Sequence, residues 1–491
     1  MTSMTPFITL IVYMLVIIWA VTRYGRLKDE SLEEYAVAGR SFPWFFMVFT
    51  VLGSWYPGDT FAAVTGTAVF SGAWCMYMFF YSLIGAAFFY FIAPRVWIWG
   101  KTHGLVSMPD YIKSRYDSKA LATIFAVAIT MLGWVWLMTG FKMTGYVMYE
   151  VSYHAIPFNV GVYIIPVFVM VYILIGGMRS IVVTDLIQGI ISTVIVIFGI
   201  VFVIQKLFGG AGAMFAQLIA EKPDEWLTIS GPNEWSSTLI ACGLGAYCWL
   251  EEFNRIFVAK SPKDLKKVAR LVPIIIAFFG ISLTILALGG GLLPEVTASQ
   301  ASAESAILIM FSKAGGPIFL AFAGIIVITA SMSNMDSLVN ANAVAIAKNV
   351  IGDNVKAGIS DQTTVLITRI ITVVSVLACA WWATADIPLI ATLMITTYEF
   401  LLCFFAGIIL GVFWKRGSAL GTYISLAVGI PTVVLLLLND SWLAAFHGFA
   451  PGLIGGTFSI VAYLIVGLVR EPSDHIESLF SEVDKYEMTK S

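Results

Sequence analysis

Charged residues are scarce in this chain. They make up 12% of its 491 residues, against 59% hydrophobic ones, where a soluble globular protein carries about 25% charged residues. That composition excludes an ordinary soluble enzyme and predicts a polytopic membrane protein. An excess of one sign is missing too. The 28 Lys and Arg against 30 Asp and Glu leave a net charge of −2, so no basic surface offers itself to a nucleic acid. The five cysteines, Cys75, Cys242, Cys248, Cys379 and Cys403, all fall in apolar segments. Their odd number and spacing exclude a disulfide framework or a zinc site. The four histidines, His103, His154, His447 and His475, are scattered, and there is no HExxH, GxSxG or phosphate-binding loop.

What is abundant is apolar runs long enough to cross a bilayer, about thirteen of them at about 20 residues each. They cover approximately 4–23, 43–70, 73–97, 119–151, 158–176, 181–205, 236–254, 271–293, 317–349, 365–384, 388–414, 418–438 and 451–469. The first has no positively charged lead and no small-residue cleavage site after it, and reads as a retained span, not a signal peptide. About 24 of the 28 basic residues fall in alternate loops or beside them. The excess of Lys and Arg on the cytoplasmic side predicts an N-terminus outside and a C-terminus inside. The outer loops 206–235 and 294–316 each contain a short amphipathic stretch. The tail from 470 is polar and reads as a short, exposed, partly helical end.

Polar residues inside these spans are few. VLGSWYPGDTFAA, residues 51–63, puts Pro57, Gly58 and Asp59 in an otherwise apolar run. Proline removes a helical hydrogen bond and glycine favours unwinding, so the span is predicted to break there, either as a kink or as a binding site. Unwound backbone of this kind coordinates cations in transporters, and half-helix N-termini face anionic groups. Gly243 and Gly245 mark a second discontinuity in span 236–254. Leaving out the first span, the two breaks lie in core helices one and six, the pattern of an inverted five-plus-five repeat meeting at the midplane. GGMRSIVVTDLIQG, residues 176–189, carries Arg179 at a turn and Asp185 further in. On ITASMSNMDSLVNANA, residues 328–343, Ala330, Ser333, Asn334 and Ser337 share one helical face with Asp336 beside it. Such oxygens suit a hard cation, and small residues equally let helices pack closely. Lys142 either pairs with Asp59 or holds one end of a zwitterion with it. Glu251 and Glu252 read as interfacial or snorkelling, and Glu399 lies within the span 388–414 with no role assigned by its neighbours.

These stretches, in order and on the right spans, resemble the sodium:solute symporter family. GGMRSIVVTDLIQG and TASMSNMDSLVNANA carry the resemblance most strongly, with EYAVAGRSFPW and EEFNRIFVAKSPKDLKKV beside them. It implies an all-α, leucine-transporter-type inverted repeat in one domain over 1–491. Its parts are a preliminary helix at 4–23, a first repeat at 43–205, a second at 236–414, two further helices at 418–469 and a cytoplasmic tail at 470–491. It also implies a sodium site of Gly53 and Tyr56 carbonyls with Ala330, Ser333 and Asn334, where the family generally has serine or threonine in place of Asn334. A second cation or proton site matches Asp185, Ser333, Asp336 and Ser337, and substrate positions match Asp59, Thr60 and Tyr247.

The function expected on these grounds is sodium-coupled import of a small organic solute across the plasma membrane by alternating access. Na+ is the coupling ion, and neither a nucleic acid nor an obligatory protein partner is needed beyond solute and lipid. Asp59 with Lys142 favours an amino acid or short carboxylate. Two alternatives stay open: a proton-coupled symporter on the same fold, and a transporter-like solute sensor, which the lack of a signalling domain disfavours.

Overall fold

The computed structural model describes residues 4–355 and 359–490, and among these there is helix and loop but no strand beyond one isolated bridge between Phe42 and Ala259. The helices used below are α1 (Thr5–Tyr24), α2 (Trp44–Trp55), α3 (Gly58–Ser71), α4 (Tyr77–His103), α5 (Met108–Tyr116), α6 (Lys119–Val151) and α7 (Phe158–Phe208). They continue with α8 (Pro232–Gly245), α9 (Leu250–Val258), α10 (Pro262–Gly290), α11 (Ala306–Val344), α12 (Asp361–Trp382) and α13 (Ile390–Leu401). The last three are α14 (Ala419–Leu438), α15 (Pro451–Val469) and α16 (Asp474–Lys490).

By length and composition, nine stretches among the described residues can cross a membrane, or ten with one bent pair at Ile390–Phe413. The expected thirteen spans differ from that number for a physical reason. The stretch Trp44–His103 joins two expected spans and Phe158–Phe208 joins two more. Their boundaries fall at Gly72 (φ 54°) and Gly177 (φ 50°), single glycines in a backbone region that other residues resist. The expected span at 236–254 is divided into α8 and α9, each too short to cross a bilayer alone.

The basic segments gather at one end of the bundle. The Arg40 guanidinium donates to the carbonyls of Phe257 (3.3 Å) and Leu105, Lys113 pairs with Asp353 at 2.7 Å, and Arg179 forms a buried ion pair with Glu34. At the same end Asp110 accepts hydrogen bonds from Lys348 Nζ (2.6 Å), the Asn349 amide (2.7 Å) and the Val106 backbone N–H (3.0 Å). Burial by itself pushes the Asp110 carboxyl up, but the Lys348 ammonium and these donors outweigh it and hold it below the usual carboxylate range.

The tail is not the exposed end that its polarity suggests. Ile476, Leu479, Phe480 and Val483 form a buried stripe along α16, at the spacing of one helical face. Phe480 packs edge-on against Trp99 at 5.5 Å and receives the guanidinium of Arg115 at 5.4 Å. His475 meets the Ser114 carbonyl at 2.9 Å.

Two outcomes follow from this frame. A Cβ at Gly177 would meet the Tyr35 carbonyl oxygen at 2.6 Å, whereas Gly104, also at positive φ, has open space around it. Gly177→Ala is therefore expected to cost more than about 1 kcal/mol and to lower the melting midpoint of the detergent-solubilised protein well below that of Gly104→Ala. Asp110 has a depressed folded pKa, so its contribution is present above its unfolded value of about 3.9 and is lost as pH falls through the folded value. A pH series of melting midpoints checks this: Asp110→Asn lowers stability at neutral pH and flattens the acid limb.

Candidate functional site

The first broken helix frees backbone oxygens where a polar helix crosses it. α2 ends at Trp55, Tyr56 leaves helical geometry (φ −132°, ψ 63°), and α3 resumes at Gly58 after an extended Pro57. The helical donor for the Gly53 carbonyl would be residue 57, and proline has no N–H. The donor for the Tyr56 carbonyl would be Thr60, whose amide instead closes on the Pro57 carbonyl at 3.0 Å. Gly53 lies so close to α11 that a Cβ there would collide with Ser333 Oγ. Gly53 and Ser333 thus meet at one helix crossing, with Ala330 and Asn334 on the same buried stretch of α11, while the Tyr56 side chain turns to α10, where its O–H donates to the Ile276 carbonyl at 3.3 Å.

The residues matched to a second cation site also converge, around a side chain that sequence reasoning passed over. Asp185 accepts from Ser333 Oγ and from Thr50 Oγ1, and Asp336 accepts from Tyr172 O–H (2.6 Å) and Ser337 Oγ (3.3 Å). Arg255, on α9, is fully buried among them. Its guanidinium donates to the Ser333 carbonyl at 2.7 Å and to Ser337 Oγ at 2.6 Å, and lies 3.9 Å from Asp185 Oδ2. A resident cation therefore already serves this cluster. Arg255, Thr50 and Tyr172 carry no signal in local spacing, because each comes from a different helix.

The second break lies later than Gly243 and Gly245 suggest. A short 3₁₀ turn at Ala246–Cys248 and an extended Trp249 (ψ 140°) interrupt the helix, and α9 starts at Leu250. Glu251 and Glu252 consequently sit in the first turn of the second half-helix, 3% and 6% exposed, and not at a membrane interface. They line a small cavity of about 10 Å³ between the two broken helices, together with Ser54, Trp55 and Asn334. That volume holds about one water-sized sphere. Aromatic rings close it: Trp136 meets Trp249 at 5.2 Å and Tyr398 at 5.4 Å, and Tyr81 meets Tyr398 at 5.4 Å. Glu251 Oε2 and Trp136 Nε1 are buried without a hydrogen-bond partner among the described residues.

The expected substrate positions separate. Tyr247 backs the cavity, packing on Trp55 at 5.8 Å and stacking on Phe89 at 5.7 Å. Asp59 and Thr60 are buried on α3 outside the lining, and Asp59 accepts from Thr139 Oγ1 at 2.8 Å. Lys142 does not pair with Asp59. Its ammonium lies 3.9 Å from Glu304 of the outer loop, whose carboxylate also accepts from Tyr146 O–H (3.0 Å) and the Ile390 amide (2.9 Å). Glu304 competes successfully because both its oxygens are already held at the Lys142 side of the bundle. Glu399 is buried against α15, close enough to Gly452 to leave no room for a Cβ there.

The sequence profile of the sodium:solute symporter family matches residues 35–429. The uncharacterized symporter YhjB of Bacillus subtilis (strain 168) is 28% identical over 251 residues, half of this chain (50%) and half of that one (51%). The osmoregulated proline transporter OpuE of the same organism is 24% identical over 96% of each chain. Among solved structures, a Na+-coupled sialic acid symporter in a substrate-bound outward-open state superposes with a TM-score of 0.76 at 16% identity, covering 96% of this chain and 99% of that one. The fold is therefore shared along nearly the whole length.

The buried guanidinium gives the cluster a measurable signature. Removing one partner of a buried pair costs about 3–5 kcal/mol, so Arg255→Ala is expected to lower the melting midpoint strongly, and Arg255→Lys, which keeps the charge and loses the fork, by less. Adding Asp185→Asn to Arg255→Ala recovers part of the loss. Strictly additive losses in that double-mutant cycle would mean that the two groups do not interact.

Proposed function

Because the chain belongs to the sodium:solute symporter family, we propose that it is a sodium-coupled importer of a small organic solute and that the broken first core helix supplies its ion site. The observation that carries this reading is the pair of carbonyls, Gly53 and Tyr56, deprived of their helical donors at a break where Gly53 abuts Ser333. Sodium is a hard cation and takes oxygen ligands. In this reading Gly53 and Tyr56 join Ala330, Ser333 and Asn334 around it. Asp185, Asp336 and Ser337 form the adjoining cluster, with Arg255 as its fixed counter-charge.

The mechanism rests on linkage. Sodium bridging α2 and α11 holds the two halves in register and shapes the cavity beneath Trp136 and Trp249. Solute binding there closes the aromatic layer, and each ligand raises the affinity of the other by the same factor. The first repeat is assigned to 43–205 and the second to 236–414, with the N-terminus outside, so that the basic end of the bundle faces the cytoplasm. The amino-acid or short-carboxylate preference rested on Asp59 acting with Lys142, and the engagement of Lys142 by Glu304 removes its support. The protein is a transporter of this family and not an enzyme.

The test is a sodium titration of thermal stability, with potassium at neutral and low pH as controls. Ser333→Ala is expected to weaken the apparent sodium affinity at least about tenfold, the equivalent of 1.4 kcal/mol, over and above the lower sodium-free melting midpoint that loss of its hydrogen bond to buried Asp185 causes. Unchanged sodium dependence in that variant would remove the proposed site. Stabilisation that follows pH and ignores sodium would move the coupling to a proton on Asp185 and Asp336.

A further inference from the structure

Acids outnumber bases in the centre of the bundle. Asp185, Asp336, Glu251 and Glu252 are all buried there, with Arg255 buried among them. Buried charges persist when paired. Arg255 makes its close contacts on the α11 side, to Ser333, Ser337 and Asp185. The proposed sodium adds a second positive charge on that same side. Glu251 and Glu252 remain at the cavity, and one oxygen of Glu251 has no donor among the described residues.

The helix ends reinforce this imbalance. An anionic group of a solute is normally received at the positive N-terminus of a broken half-helix. Here both such ends already carry carboxylates: Asp59 in the first turn of α3, and Glu251 and Glu252 in the first turn of α9. Asp59 Oδ1 and Glu251 Oε2 each lack a hydrogen-bond partner among the described residues. A carboxylate entering the cavity would meet the carboxyl groups of Glu251 and Glu252 at the second of these ends, while Asp59 lies outside the lining. The walls around it are the rings of Trp55, Trp136, Trp249 and Tyr398, and aromatic faces attract cations most strongly where water is excluded.

Resting on the symporter reading above, we propose that the solute is an organic cation: a small amine or quaternary ammonium held by Glu251 and Glu252 and enclosed by the tryptophan cage. Glu251, with its unpartnered oxygen, is the direct acceptor, and Glu252 lines the same cavity beside it. Asn334 and Ser54 complete the polar side of the same cavity. The cavity opens from its collapsed state to admit the ligand, which the alternation between states requires of any solute site in this fold.

The full-length purified protein is titrated, in sodium chloride, with tetramethylammonium, ethanolammonium, glycine and propionate. Binding is read by tryptophan fluorescence and by thermal shift. The expected result is saturable binding of one or both cations, weaker or no binding of glycine and propionate, and a loss of cation affinity of at least about tenfold in Glu251→Gln. Because that variant can fail to fold, the charge selectivity of the wild-type protein stands as an independent arm. Preference for glycine or propionate, or cation binding unchanged in both Glu251→Gln and Glu252→Gln, overturns the proposal. Uptake into proteoliposomes under a sodium gradient separates the two levels. Sodium-driven accumulation of glycine or propionate leaves the symporter reading standing and removes the cation. No sodium-linked uptake of any probe removes both.

Discussion

A backbone carbonyl inside a membrane must find a donor, and Pro57 cannot be one. From that constraint the rest of the centre follows. The Gly53 carbonyl has no helical partner, the chain leaves helical geometry at Tyr56, and the next half-helix begins at Gly58 with Asp59 in its first turn. Lipid tolerates such backbone only where protein buries it or a cavity lies beside it. The fold meets that requirement by packing α11 against the break, with Ser333 against Gly53 and Ser331 against Gly58, at contacts that admit no side chain on either glycine.

The second break repeats the arrangement with different means. No proline stands at the interruption in span 236–254; a 3₁₀ turn and an extended Trp249 do the work, and two glutamates follow directly. Each half-helix thus opens with acids at its positive end. Arg255 then links the second broken helix to the polar face of α11 and to Asp185 on α7. One guanidinium couples three helices, and a shift of α9 relative to α11 would pull at the Ser333 carbonyl, an atom of the residue that also bounds the proposed ion site. This is a physical route for coupling solute and ion, because both ligands bias the position of the same elements.

One end of the bundle is closed by a separate polar junction. Glu304, buried at the end of the short helix Gln300–Glu304, holds Tyr146, the Ile390 amide and the Lys142 ammonium together. At the opposite end Asp110, Lys348, Asn349 and the docked tail helix tie the basic segments together. The two junctions share no residue and lie at opposite ends of the bundle.

Much of this was legible in the amino-acid order. The apolar runs, the break at Pro57 and the polar face of residues 330–337 are local patterns, set by hydrogen-bond chemistry and helical period; the break and the polar face lie at the expected place, while the thirteen runs emerge as nine or ten stretches among the described residues. The resemblance in GGMRSIVVTDLIQG and the stretch around Ser333 also predicted that Asp185 and Ser333 would meet, which they do. What the order of residues did not determine was partnership. Lys142 could have met Asp59 or Glu304, and only the position of the outer loop decided for Glu304. Arg255 looked like one basic residue of a loop until α9 carried it into the core. Glu251 and Glu252 looked interfacial because they stand near the end of the expected span 236–254; the interruption at Ala246–Trp249, directly after Gly245, starts a new half-helix there and buries them. Charges from helices far apart in sequence find each other through packing, and packing is a property of the assembled helices, not of any one segment.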